Sequence, residues 1–288
     1  MAFTPEFKKA VKYDAKARVA LIGPAGSGKS YTMLELATLL AGESGKIAAI
    51  DTEHGSLSKY ADVFDFDVLE LDSFSPDNFL NSLKAAEQAG YAVFCCDSLS
   101  HFWTGKDGAL EFVDLASKRY RDGMGGWKEF RPHERAMVDA MIASRCHIIC
   151  TMRTKTDYQE VTGQDGKKKR VKIGLAPVQR EGLEYEFDLV GYMDEDNTLI
   201  VDKTRCTEYS GKAITKPSQE SFKPFQTWLK GEIREEQKPK PNGYDRVNGV
   251  IEKVQFVANG TWFQFAGGIN VFASNHIDTT GLAVGKEV

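Results

Sequence analysis

Long apolar runs are missing from this 288-residue chain, and none approaches the roughly 20 residues that a membrane-crossing helix needs. The start, Met1 to Lys16, is charged and has no apolar core, so no secretory leader is expected there. Paired metal-binding cysteines are missing too. Cys95, Cys96, Cys146, Cys150 and Cys206 show no C-x-x-C or zinc spacing. They lie in apolar, strand-like runs and are expected to be reduced core residues of a cytoplasmic protein. Nor does one sign of charge dominate. The formal net charge is −4, which gives no global attraction to a polyanion, so any such contact must come from a local basic patch.

What is present is a pattern of short apolar runs alternating with helical segments, as in a sheet built from βαβ units. Candidate strands are Arg18–Ile22, Lys46–Ile50, Asp67–Leu71, Tyr91–Cys96, His147–Cys150, Leu189–Met193 and Thr198–Asp202. A helix is predicted from Tyr31 to Ala41, closed by Gly42. Another follows Ser75-Pro76-Asp77, an N-cap followed by an N1 proline, and a third runs from about Pro132 to Ala143. Two segments break the pattern: Gly105 to Phe130, and the polar stretch Asp157 to Gly182, which reads as a long loop without apolar period. Gly231 to Gly243 has a linker composition, and Val247 to Val288 alternates apolar and polar residues between Gly and Asn turns. The layout is thus a core over residues 1–230, a linker over 231–243 and a small β-rich unit over 244–288.

The segment Gly23-Pro24-Ala25-Gly26-Ser27-Gly28-Lys29-Ser30 fits G-x-x-x-x-G-K-[ST] between an apolar strand and a helix, the setting of a phosphate-binding loop. Its glycines let backbone N–H groups turn around a phosphate, and the helix N-terminus adds its positive end. Lys29 would reach the β- and γ-phosphates of a nucleoside triphosphate, and the Ser30 hydroxyl would ligate Mg²⁺. Tyr31, directly after the motif, counts with the nucleotide contacts. The strand ending Cys95-Cys96-Asp97-Ser98 joins an apolar run to one carboxylate, the pattern by which Asp97 would hold Mg²⁺ through water. The second strand ends Asp51-Thr52-Glu53-His54-Gly55, which makes Glu53 the candidate general base for an attacking water.

The stretch D-T-E-H-G-S-L-S-K-Y, Asp51 to Tyr60, resembles the corresponding stretch of RecA-family recombinases. The resemblance implies that Glu53 activates water and that Tyr60 packs on the adenine of ATP. Cys96-Asp97-Ser98-Leu99 is similar to the family's Walker B segment, and His147–Cys150 followed by T-M-R-T-K to its sensor strand. Lys203-x-Arg205 is similar to the basic pair that reaches a neighbouring subunit's γ-phosphate, which implies a homo-oligomer, ring or filament. The match spans roughly residues 15 to 215. With the β-rich tail, which resembles the first strands of an OB-fold, the chain looks most like phage RecA-like ATPases of single-strand annealing and recombination. One departure stands out: the family's glutamine at the end of the sensor strand is Thr151 here, so the coupling role falls to Thr151 or Arg153.

In the polar segment, Lys167, Lys168, Lys169, Arg170, Lys172 and Arg180 sit where the resemblance implies a single-stranded DNA contact. Such a contact would be sequence-independent and salt-sensitive. Lys118-Arg119-Tyr120-Arg121 ahead of Trp127 suits base stacking, and a helix end packed on a core tryptophan explains it equally well. Phe7-Lys8-Lys9-Ala10 fits the F-x-x-A by which related recombinases dock onto a neighbour. The reading is therefore a Mg²⁺-dependent, DNA-stimulated ATPase, in the host cytoplasm if phage-encoded, with a single-stranded DNA-binding protein as a further partner. The alternative is a nucleotide-dependent switch or assembly ATPase acting on a protein.

Overall fold

In β1 (Arg18–Gly23) the residues Val19 and Leu21 turn to one face of the sheet and Ala20 and Ile22 to the other, and all four are buried. A strand apolar on both faces belongs in the middle of a parallel sheet covered on both sides. The computed structural model describes residues 7, 15–120, 124–162, 168–231, 251–257, 260–265 and 270–274. In 156–162, 168–175 and the stretches beyond 250, the backbone path and its pairing alone are described.

The chain divides into two compact units, Met1–Glu232 and Ile233–Val288. The first is an α/β unit around one sheet. After β1 come α1 (Lys29–Ala41), β2 (Ile47–Asp51), β3 (Asp67–Glu70), α2 (Pro76–Gln88), β4 (Val93–Asp97), α3 (His101–Thr104), α4 (Ala109–Ser117) and α5 (Gly125–Ala143). Then follow β5 (His147–Thr162), β6 (Lys168–Pro177), β7 (Leu189–Met193), β8 (Thr198–Thr204), β9 (Ala213–Thr215) and α6 (Gln219–Lys230). The strand order is β3-β2-β4-β5-β1-β7-β8-β9. It is parallel from β3 to β7 and antiparallel through β8 and β9. Helices α1 and α6 pack on one face through Met33, Leu36, Phe222 and Phe225. On the other face lie α2 and α5, through Phe79, Leu83, Met137 and Met141. Ser75 caps α2 as predicted, its hydroxyl accepting from the Asn78 N–H at 3.2 Å.

Two expectations need correction. The break predicted over Gly105 to Phe130 contains α4 and the first turns of α5, which begins at Gly125 rather than near Pro132. Gly126 serves the contact of α4 with α5: a Cβ there would run into the Val113 carbonyl and Ser117. The long polar loop predicted from Asp157 is instead an antiparallel ribbon. β5 leaves the parallel sheet and pairs with β6 from Thr154↔Pro177 to Thr162↔Lys168. The ribbon's sequence lacks the apolar alternation used to recognise strands. Thr154, Thr156, Tyr158, Val161 and Thr162 did carry strand propensity.

All five cysteines are buried and none is in a disulfide, and burial pushes the Cys95 and Cys96 thiols well above their ordinary value, as inert core thiols. Among the described residues no helix is long and apolar enough to cross a membrane. In the second unit, β10 (Ile251–Val257), β11 (Gly260–Phe265) and β12 (Asn270–Ser274) form an antiparallel three-stranded sheet.

Candidate active site

The sheet order sets the site. β2, β4, β5 and β1 lie side by side and parallel, so their carboxyl ends open onto one edge, where ligands bind in open α/β sheets. The register pairs Asp51 with Asp97, and Leu21 and Gly23 of β1 with Thr151 and Arg153 of β5. Residues far apart in sequence thus meet in a cavity of about 490 Å³. Its walls include Pro24, Ala25, Gly26, Gly28, Lys29, Ser30, Glu53, Tyr60, Asp97, Arg153 and Thr154.

The loop from β1 to α1 depends on its glycines. Gly26 (φ 79°) and Gly28 (φ 82°) are left-handed, and a Cβ at Gly23 would lie 2.5 Å from the Met193 carbonyl. The Ser27 hydroxyl donates to the Pro24 carbonyl at 2.9 Å and the Lys29 ammonium to the same oxygen at 2.6 Å. Burial lowers the Lys29 pKa, and nearby Asp97 and Glu53 oppose that shift.

Asp97 is the buried centre of a hydroxyl network. Ser30 Oγ donates to its Oδ2 at 2.5 Å, and the Thr151 hydroxyl donates to Oδ1. Ser30 and Asp97 offer hard oxygen donors, and among the described residues no cluster of three His, Cys, Asp or Glu forms a metal cage. That donor set fits Mg²⁺, which keeps waters and phosphate oxygens in its shell and needs one or two protein ligands.

Burial pushes the Asp97 carboxyl up, against the two hydroxyl bonds. A native pKa above the unfolded one means that the folded state holds its proton longer. Stability then falls as pH rises from the unfolded pKa towards the native one. Asp97→Asn is therefore expected to raise the Tm of the nucleotide-free protein at neutral pH, the gain fading in acid. The same change should remove Mg²⁺-dependent nucleotide stabilisation. Thermal melts across pH check both halves, and a lower Tm at neutral pH would show that the Ser30 and Thr151 bonds outweigh burial.

Glu53 stands opposite, where Arg153 donates to its Oε1 from Nη2 at 2.7 Å and from Nε at 3.1 Å. The turn that presents it is shaped by buried Asp51, which accepts from the N–H groups of Glu53 (2.6 Å) and Leu57 (2.9 Å). Next to it Thr52 Oγ1 lies 2.5 Å from His101 Nδ1 and accepts from the Ser98 N–H at 2.7 Å. Burial, with Arg153 adding, holds the His101 imidazole below its ordinary value, so it is neutral near pH 7. Sequence reasoning missed Thr52, Asp51 and His101, because a buried hydroxyl–imidazole contact has no spacing signature. It also missed Asn197, a left-handed turn residue (φ 59°) whose Nδ2 reaches the Gly26 carbonyl at 3.3 Å.

The other predicted residues are placed as follows. Tyr60 lines the cavity, and Tyr31 stands edge-on to it at 6.0 Å. Tyr31 itself lines a neighbouring groove of about 380 Å³ with Asn197 and Lys216, and Gly28 belongs to both spaces. Lys203 and Arg205 are not in the cavity wall. Lys203 Nζ donates to the carbonyls of Glu184, Tyr185 and Phe187, and Arg205 pairs with Asp188 at 2.7 Å. Lys168, Lys169, Arg170 and Lys172 lie on β6, Lys167 falls outside the described residues, and Arg180 pairs with Glu134 at 2.9 Å.

A family described as "AAA domain" matches residues 15–222, well over half the chain. No curated protein matches. Among solved structures, a KaiC-like protein from the archaeon Pyrococcus horikoshii OT3 is similar at 14% identity and a TM-score of 0.38. That match covers 71% of this chain and 91% of the other.

Proposed function

Because the chain belongs to the AAA-domain family of P-loop nucleoside triphosphatases, we propose that it hydrolyses ATP with Mg²⁺ under the control of single-stranded DNA. One observation carries the hydrolytic part: a single cavity holds Lys29, Ser30, Asp97, Glu53 and Arg153. Lys29 would neutralise the β- and γ-phosphates and Glu53 would take the proton of the attacking water. Mg²⁺, held through Ser30 and water on Asp97, would supply charge neutralisation at the phosphates. Tyr60 and Tyr31 stand ready to pack on the base.

Support for DNA control comes from the ribbon. It begins at Thr154, next to the Arg153 that grips Glu53, and β6 carries Lys168, Lys169, Arg170 and Lys172. A polyanion drawn to the ribbon would pull on the strand that holds the base. This is the coupling that the missing sensor glutamine left to Thr151 or Arg153, and the Glu53 contact favours Arg153. Assembly would then bring a neighbour's Arg205 to the γ-phosphate. Lys203 is a poorer candidate, since its three donors are already taken by carbonyls. In this reading the protein serves phage strand annealing or recombination.

ATP turnover with and without single-stranded DNA, across salt concentrations, tests the reading. Replacing Lys168, Lys169, Arg170 and Lys172 together by alanine should flatten the salt dependence of DNA binding, by about 0.7 in log–log slope per lost phosphate contact. DNA-free turnover should persist. Turnover indifferent to DNA but raised by a protein partner would favour the switch or assembly ATPase.

A further inference from the structure

The largest cavity among those described in the first unit is a second one, of about 630 Å³, and no step of the hydrolytic site uses it. Its walls include Trp103 at the end of α3, Trp127, Arg131 and Arg135 on α5, and the Arg180–Glu134 pair. The two indoles are partly exposed, 5.6 Å apart between ring centres and tilted by 33°. They rest on a small apolar cluster of Ala109, Val113 and Phe130, which fixes their orientation. Arg131 and Arg135 are one helical turn apart and so project from the same side of α5. Both are exposed and have no ion-pair partner among the described residues. Three arginines therefore face two carboxylates, Glu134 and Asp139, and one of those is already neutralised by Arg180.

Rigid aromatic faces beside unpaired guanidinium groups recognise a π-system carried on an anionic backbone. An unpaired base can reach such a pocket, whereas a base inside a duplex cannot. The place in the fold agrees. The Gln179 side chain, just beyond the ribbon, donates to the Leu99 carbonyl at 3.1 Å, and Ser100 Oγ accepts from the Arg153 N–H at 2.9 Å. Both feet of the ribbon are thus tied to the short loop that leads into Trp103. In the other basic stretch near Trp127, Arg121 falls outside the described residues, Lys118, Arg119 and Tyr120 are not among the residues lining this cavity, and Arg119 is paired with Glu129 at 2.6 Å.

We propose that the Trp103–Trp127 cavity is a base-stacking site for single-stranded nucleic acid, with the flanking phosphates on Arg131 and Arg135. The proposal rests on the reading of the ribbon as a single-strand contact and adds the groups that hold the bases. The test uses the full chain with Trp228→Phe and Trp262→Phe, so that emission comes from Trp103 and Trp127 alone. Titration with a short oligothymidine should quench that emission. Trp127→Leu or Trp103→Leu should weaken binding roughly 5- to 140-fold, the range for one lost base stack. Trp127→Phe should restore most of it, which a merely structural role would not predict. Oligothymidine binding by polarisation with unchanged indole emission and unaltered affinity in the Leu variants would overturn the cavity proposal and leave the ribbon reading intact. A chain that binds no oligothymidine would overturn both. Quenching by a protein partner but not by oligothymidine would reassign the cavity to that partner.

Discussion

Glu53→Gln is expected to lower ATP turnover by about 10²- to 10⁴-fold, the usual worth of a positioned general base, with nucleotide affinity nearly unchanged. The glutamine keeps the shape and can still accept from Arg153 through its carbonyl oxygen, so the turn held by Asp51 survives. What disappears is the capacity to take a proton from water. The ion pair with Arg153 also weakens, but both partners are substantially exposed, and such pairs contribute only about 0–1 kcal/mol. Loss of activity should therefore come without loss of fold. Single-turnover hydrolysis beside equilibrium binding of a fluorescent ATP analogue makes the check. Unchanged turnover would move the base elsewhere, with water on Asp97 next.

Much of this site could be read before any coordinates. The loop from Gly23 to Ser30 announces itself because backbone conformation demands those residues: positive φ at Gly26 and Gly28, and no room for a side chain at Gly23. Asp97 and Glu53 were legible for a related reason. Asp97 ends an apolar strand and Glu53 lies two residues past the end of another, and strand ends in a parallel sheet converge on one edge. The central strands were legible too, because a strand covered on both faces is nearly continuous in apolar residues.

What escaped follows from the same physics. The β5–β6 ribbon carries no apolar alternation, so periodicity could not mark it, and only scattered β-branched and aromatic residues hinted at strand. Helix α5 starts before Pro132: Gly126, in the stretch that read as a break, is small enough to let α4 and α5 meet, and Gly125 leaves room for Tyr120. Lys203 and Arg205 were found by resemblance, which cannot show that Lys203 closes a short helical turn in its own chain. Arg153 was legible only as one of two substitutes for an absent glutamine. Its contact with Glu53 arises from register, Gly23 beside Arg153 across β1 and β5, and register is not written in either strand alone.

Lys29→Ala should weaken triphosphate binding by about 30- to 4,000-fold, the equivalent of about 2–5 kcal/mol for truncating one partner of a buried charge pair. The phosphates would then face a loop with its backbone donors intact and no compensating ammonium. The apo protein should not suffer in parallel. Burial holds the Lys29 pKa below its ordinary value, so the folded state binds its proton less readily than the unfolded chain does. With that sign, stability rises with pH through the interval between the two pKa values, and below it the charged lysine is a cost to the fold. Alanine removes that cost along with the one bond to the Pro24 carbonyl. Melts should then show an unchanged or higher apo Tm and the loss of the nucleotide-induced rise, which scales with ligand concentration over Kd. A variant that melts early and still shows the full nucleotide shift would make Lys29 a structural residue of the loop and remove it from the phosphate site.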